Sequence, residues 1–116
     1  MSELSLNAIV SQKIEVSPGL IILRVVPEGW ALPDYKAGQF TVLGLPGTAP
    51  RHHFSDDEIP LKDKDKLIRR AYSVSSASVN KEYIEFYITM VRSGALTPRI
   101  FALETGDKIF LSQKFS

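Results

Sequence analysis

From residue 7 onward the apolar residues fall in short runs at every second position, the spacing of strands buried on one face. In Asn7–Val16, "NAIVSQKIEV", Ala8, Val10 and Ile14 share a face. "SPG" then marks a turn before Leu20–Val26, "LIILRVV", so the two runs predict a hairpin. Gly38–Leu45 ("GQFTVLGL"), Arg69–Ser76 ("RRAYSVSS"), Glu82–Val91 ("EYIEFYITMV") and Asp107–Ser112 ("DKIFLS") read as four further strands. Within "YIEFYITMV", Ile84, Phe86, Ile88 and Met90 form an apolar face and leave Tyr83, Glu85, Tyr87, Thr89 and Val91 on the other. A single stretch, "GALTPRIFALETGD", has helical spacing instead, with Leu96, Ile100 and Leu103 on one side. There Thr97 is suited to the N-cap, Pro98 to the first helical position and Gly106 to a left-handed end.

This pattern predicts an all-β fold: a six-stranded antiparallel barrel, closed or nearly closed, with one short helix. Closure removes the unpaired edges that such a sheet would expose. A dinucleotide-binding α/β unit is disfavoured, because the chain lacks G-x-G-x-x-G and any alternation of strands with long helices. At 116 residues it is one domain with a real core.

Composition narrows the function classes. A net charge of +1 provides no broad basic field for nucleic acid or an anionic membrane. Without cysteine there is no disulfide, thiolate nucleophile or cysteine-held metal cluster. The start shows no basic leader with an apolar core, and no apolar run approaches membrane-spanning length, so a cytoplasmic location without membrane insertion is expected. Between the third and fourth strands, Pro46–Lys66 is rich in proline and charge and reads as a solvated, flexible insertion. Its adjacent His52 and His53 do not make a metal site, since neighbours on an extended chain point apart and no second ligand pair follows. Both histidines lie in this loop, which also argues against a Ser-His-Asp hydrolase.

Candidate chemistry sits on the fourth strand and around the helix. Alternation puts Arg70 and Tyr72 on one face, a guanidinium beside a phenol ring, which suits a ligand anionic at one end and flat and aromatic at the other. Gly94 lets the backbone come close to a ligand, and the amides near Ala95 to Thr97 at a helix start suit an anion. Tyr87 and Thr89 would line a surface leading to Gly94. Each feature alone is explained as well by a polar strand face or a capped helix; their conjunction describes a surface for a ring system joined to a pyrophosphate.

Arg70-Ala71-Tyr72-Ser73 and Gly94-Ala95-Leu96-Thr97 resemble the R-x-Y-S and G-x-x-[ST] flavin motifs of the ferredoxin–NADP reductase superfamily. The strings "AGQF", "RAYSVSSA", "EFYIT" and "GALTPRIFALETGDKI", in order from Ala37 to Ile109, are most similar to the bacterial ferredoxin/flavodoxin–NADP reductases. The resemblance implies a Greek-key barrel that binds FAD. It implies that Arg70 pairs with the pyrophosphate, Tyr72 packs on the isoalloxazine and Ser73 approaches its N5, the last two bearing on flavin reactivity. Val74 and the backbone of Tyr87, Ile88 and Thr89 would flank the ring's polar edge, and Gly94, Ala95, Leu96 and Thr97 would give amide and hydroxyl donors to the pyrophosphate.

Members of this family carry a second, nucleotide-binding α/β domain that this chain lacks, and the Pro46–Lys66 insertion is longer than the resemblance leads one to expect. The chain is therefore expected to be the FAD-binding domain of a larger NAD(P)H oxidoreductase whose partner is ferredoxin or flavodoxin, and not competent alone for NAD(P)H oxidation. The alternatives are the FAD domain of an oxygenase reductase or electron-transfer subunit, and a flavin-free barrel acting as an interaction module.

Overall fold

The computed structural model describes residues 6–58, 65–76 and 81–116. Six strands and one helix follow in the order β1 (Ala8–Ser17), β2 (Leu20–Pro27), β3 (Phe40–Pro46), β4 (Leu67–Ser73), β5 (Ile84–Thr89), α1 (Thr97–Phe101) and β6 (Lys108–Leu111). The strands form one antiparallel sheet in the order β4-β3-β6-β1-β2-β5. β6 inserts between β1 and β3, the non-sequential neighbour that makes the arrangement a Greek key.

The sheet curls until its two edge strands meet at a single point, an antiparallel bridge between Val74 and Phe86. The Ser75 amide donates to the Glu85 carbonyl beside it at 2.9 Å. Continuing that register would set Tyr72 opposite Ile88 and Arg70 opposite Met90, but no β4–β5 ladder forms there among the described residues. The expected barrel is thus nearly closed, with an open seam along one side.

Alternation fills the interior as the pattern predicts for β5: Ile84 and Phe86 are fully buried and Ile88 nearly so, while Tyr87 and Thr89 face out. β1 departs from the prediction. Ala8 and Val10 are buried, but a bulge between Val10 and Gln12 inserts one residue against β2 and flips the phase, which leaves Ile14 exposed.

The helix also differs. It has only five residues and ends at Phe101, where Lys13 Nζ donates to the Phe101 carbonyl at 2.6 Å. Its N-cap is Leu96, with no side-chain cap; Thr97 is the first helical residue and its hydroxyl is turned elsewhere. Gly106 does take a left-handed φ of 96°, but in the turn into β6, where its amide donates to the Val10 carbonyl.

The insertion is the largest difference. Residues 46–58 are bound to the barrel: the His52 amide donates to the Pro98 carbonyl at 2.9 Å, and Glu58 forms an ion pair with the buried Arg99 at 2.6 Å. Asp56 and Glu58 find arginines at fixed places on the fold, which a count of charges cannot show. Residues 59–64 of the insertion lie outside the described residues.

Phe86 joins the core at the point where the seam shuts. Phe86→Ala should cost about 3–5 kcal/mol of stability, read as a lower midpoint in urea unfolding followed by circular dichroism.

Candidate functional site: a groove at the open seam

Where β4 and β5 part, they leave a groove of about 290 Å³ lined by Arg70, Ala71, Tyr72, Thr89, Val91 and the turn from Gly94 to Thr97. Seven of the residues expected to bind a ligand meet here from three elements. Arg70 and Tyr72 come from β4, Thr89 from the end of β5, and Gly94, Ala95, Leu96 and Thr97 from the turn that enters α1. Ala71 and Val91 are wall residues that the motif search did not single out. Val91 continues the outward face of β5, and a strict two-residue reading of that strand reaches it.

Arg70 differs from every other arginine among the described residues. Arg24, Arg51, Arg92 and Arg99 each pair with a carboxylate, and Arg69 lies over the Phe110 ring at 5.1 Å. Arg70 is exposed and donates only to the Arg69 carbonyl at 2.7 Å. It is a cation with no anion opposite it, at the rim of the groove.

Beside it the Tyr72 ring is half-buried. Burial pushes its phenol up to about 12, against the nearby Arg70 charge, so the hydroxyl stays protonated and able to donate at neutral pH. Neither this hydroxyl nor that of Ser73 has a hydrogen-bond partner among the described residues. Ser73 is the last residue of β4 and stands next to the Val74 bridge, at the shut end of the seam.

The turn opposite is built by Thr97. Its hydroxyl donates to the Val91 carbonyl at 3.1 Å and accepts from the Val91 amide at 2.9 Å, while the Gly94 amide bonds the same carbonyl at 2.8 Å. The Thr97 hydroxyl proton is therefore used inside the protein. Gly94 sits in tight space: a Cβ there would lie 3.1 Å from the Val91 carbonyl oxygen and 3.2 Å from its Cβ, so Val91 would have to give way. The amides of Ala95, Leu96 and Thr97 have no protein acceptor among the described residues. With α1 only five residues long, these N–H groups, and not a helix dipole, are the polar groups that the turn offers.

Ser73, Val74, Tyr87 and Ile88 are not in the groove wall. Val74 is buried, its amide bonded to the Gln39 carbonyl and its carbonyl to the Gly38 amide. Ile88 is 1% exposed in the core, and Tyr87 stands outward on β5. The two histidines are not on an extended chain. They sit at a turn, where their rings stack 4.3 Å apart and His52 Nδ1 accepts from the Phe54 amide.

No family model matches the sequence. Over 83 residues the chain is 36% identical to the flavodoxin/ferredoxin–NADP reductase of Buchnera aphidicola subsp. Schizaphis graminum, covering 72% of this chain and 29% of that protein. It is 35% identical over 75 residues to the enzyme of the same name from Escherichia coli, covering 65% of this chain and 23% of that one. Among solved structures, a ferredoxin NADP+ reductase from Neisseria gonorrhoeae with bound FAD and NADP superposes with a TM-score of 0.69 at 24% identity, over 95% of this chain and 37% of that one. The cytochrome b5 reductase domain of Ulva prolifera nitrate reductase superposes with a TM-score of 0.66 at 15% identity, over 97% of this chain and 43% of that one.

The fold is thus the antiparallel barrel of these reductases. The sequence matches that accompany it are to proteins named flavodoxin/ferredoxin–NADP reductase, so the chain is similar to part of these reductases. It spans less than a third of the length of the curated relatives it matches.

Thr97→Val removes both bonds to Val91 and should cost about 2 kcal/mol, read from the urea midpoint. In an ultraviolet titration of wild type against Tyr72→Phe, the phenol lost with the substitution should be one that ionises near pH 12. Because its folded pKa is raised, the protonated phenol's contribution to stability is intact below its ordinary 10.0 and is lost as pH rises towards 12.

Proposed function

We propose that the seam groove binds FAD and that the chain is the flavin-holding part of an oxidoreductase working between NAD(P)H and ferredoxin or flavodoxin. The observation that carries this reading is the meeting, in one groove, of an arginine without an anion, a half-buried neutral phenol and three amides without acceptors. A pyrophosphate joined to a flat ring has complementary chemistry at each place.

In this reading Arg70 and the Ala95–Thr97 amides hold the pyrophosphate, and the Tyr72 ring lies against the isoalloxazine. The Ser73 hydroxyl, at the shut end of the seam, is the donor to the flavin edge. Tyr87, Ile88 and Thr89 supply backbone along the free edge of β5, opposite Tyr72, and Val74 fixes the end of the groove through its bridge to Phe86. The Thr97 hydroxyl shapes the turn and leaves its amide to meet the phosphate.

When bound, FAD supplies the redox chemistry, taking up a hydride equivalent and passing electrons on singly. The chain's own residues bind and orient it and exclude water from the face that Tyr72 covers. The NAD(P)H-binding part and the electron acceptor lie outside this chain. A cytoplasmic setting belongs to the same proposal. Among the described residues no helix is long and apolar enough to cross a membrane.

Fluorescence titration of the chain with FAD should show saturable binding. Arg70→Ala should weaken it about tenfold, the loss of one charge-assisted hydrogen bond. Unchanged affinity would remove Arg70 from the pyrophosphate.

A further inference from the structure

The bound half of the insertion reaches the back of the Gly94–Thr97 turn through one carboxylate. Glu58 Oε1 accepts from Arg99 Nη2 at 2.6 Å, and Oε2 accepts from Arg99 Nη1 at 2.9 Å and from Arg51 Nη1 at 3.3 Å. Each arginine held in this way grips a carbonyl of the turn. Arg51 Nη1 donates to the Gly94 carbonyl at 2.9 Å, and Arg99 Nη1 donates to the Ala95 carbonyl at 2.7 Å. Arg99 is 3% exposed, and its Nη2 also donates to the Gly47 carbonyl at 2.9 Å at the start of the loop.

The peptide group is planar and trans, so its carbonyl and N–H point in opposite directions. The Gly94 carbonyl shares a peptide plane with the Ala95 amide, and the Ala95 carbonyl with the Leu96 amide. Pulling both carbonyls back onto the guanidinium groups turns both amides the other way, on the wall of the groove, where they have no protein acceptor among the described residues.

We infer that Glu58 is a positioning residue for the ligand's anionic group: through Arg51 and Arg99 it sets the two peptide planes whose N–H groups meet a phosphate. This rests on the reading of the groove as a site for a flavin dinucleotide. It gives the insertion a task in binding, carried by a residue that never touches the ligand.

The test compares FAD with riboflavin, which has the same ring and no pyrophosphate, by fluorescence titration of the whole chain and its variants. Wild type should prefer FAD, and Glu58→Ala should lower the ratio of FAD to riboflavin affinity about tenfold by weakening FAD alone. Glu58→Gln, which keeps the shape and halves the charge-assisted contacts, should lower the ratio about threefold and serves where the alanine variant does not fold. Lys81→Ala, which breaks the remote ion pair to Asp34, should leave the ratio unchanged. If FAD and riboflavin weaken by the same factor in the Glu58 variants, or neither weakens, Glu58 is only structural and the inference falls. If wild type itself shows no preference for FAD, the pyrophosphate reading of the groove falls first.

Discussion

The bridge between Val74 and Phe86 is the constraint on which the rest of the molecule depends. A six-stranded sheet with this curl brings two edges together, and unpaired edges are costly to leave exposed. Pairing along the whole length would satisfy the backbone and set Tyr72 against Ile88 and Ala71 against Thr89. Pairing at one point holds the barrel's shape while the strands diverge beyond it. The groove is the part of the barrel that the ladder leaves open, and its walls are two strand edges and one turn.

Charge is distributed to serve that opening. The chain is almost neutral overall, yet its arginines are placed unevenly. Those on the far side of the turn are matched by Glu58 and Asp56 and do mechanical work on carbonyls, whereas Arg70 is left unmatched at the rim. The hydrogen bond from Arg99 holds the Glu58 carboxyl below its ordinary value, and the Arg99 and Arg51 charges add to it against the opposing effect of burial. A carboxyl depressed in this way stabilises the folded loop at pH values above its ordinary 4.5, and that contribution fades as pH falls through the lowered value. The same pairing that ties the insertion down also matches the Glu58 charge behind the turn.

How much of this was legible in the sequence depends on the range of the interaction. The alternation of Ile84, Phe86 and Ile88 is local, and it places β5 and its outward Thr89 correctly. Arg70 beside Tyr72 is equally local, and the two do share the groove. Ile14 was misplaced because a bulge one turn earlier shifts the phase, and Gln12 carries no mark of it. Thr97 looked like a cap because its position fits one. Its hydroxyl prefers the two backbone groups of Val91, a choice made by how the turn folds back rather than by spacing. The attachment of residues 46–58 is hidden for the same reason: Glu58 and Arg99 are far apart in the chain, so their pair exists only once the barrel has formed.

The comparison proteins sharpen what a barrel of this kind contributes. Solved structures that share the fold include a ferredoxin NADP+ reductase, a domain of a nitrate reductase and a domain of a nitric oxide dioxygenase. One fold thus occurs in proteins named for different reactions, and the fold alone does not fix the reaction. On the proposed reading, what this barrel must do is hold a charged dinucleotide by its phosphates and present one ring edge. An insertion that strengthens the phosphate grip from behind, as Glu58 is placed to do, changes affinity without altering the ring's surroundings. It can therefore vary among relatives at little cost to the chemistry, whereas a change at Tyr72 or Ser73 would alter the face the ring presents.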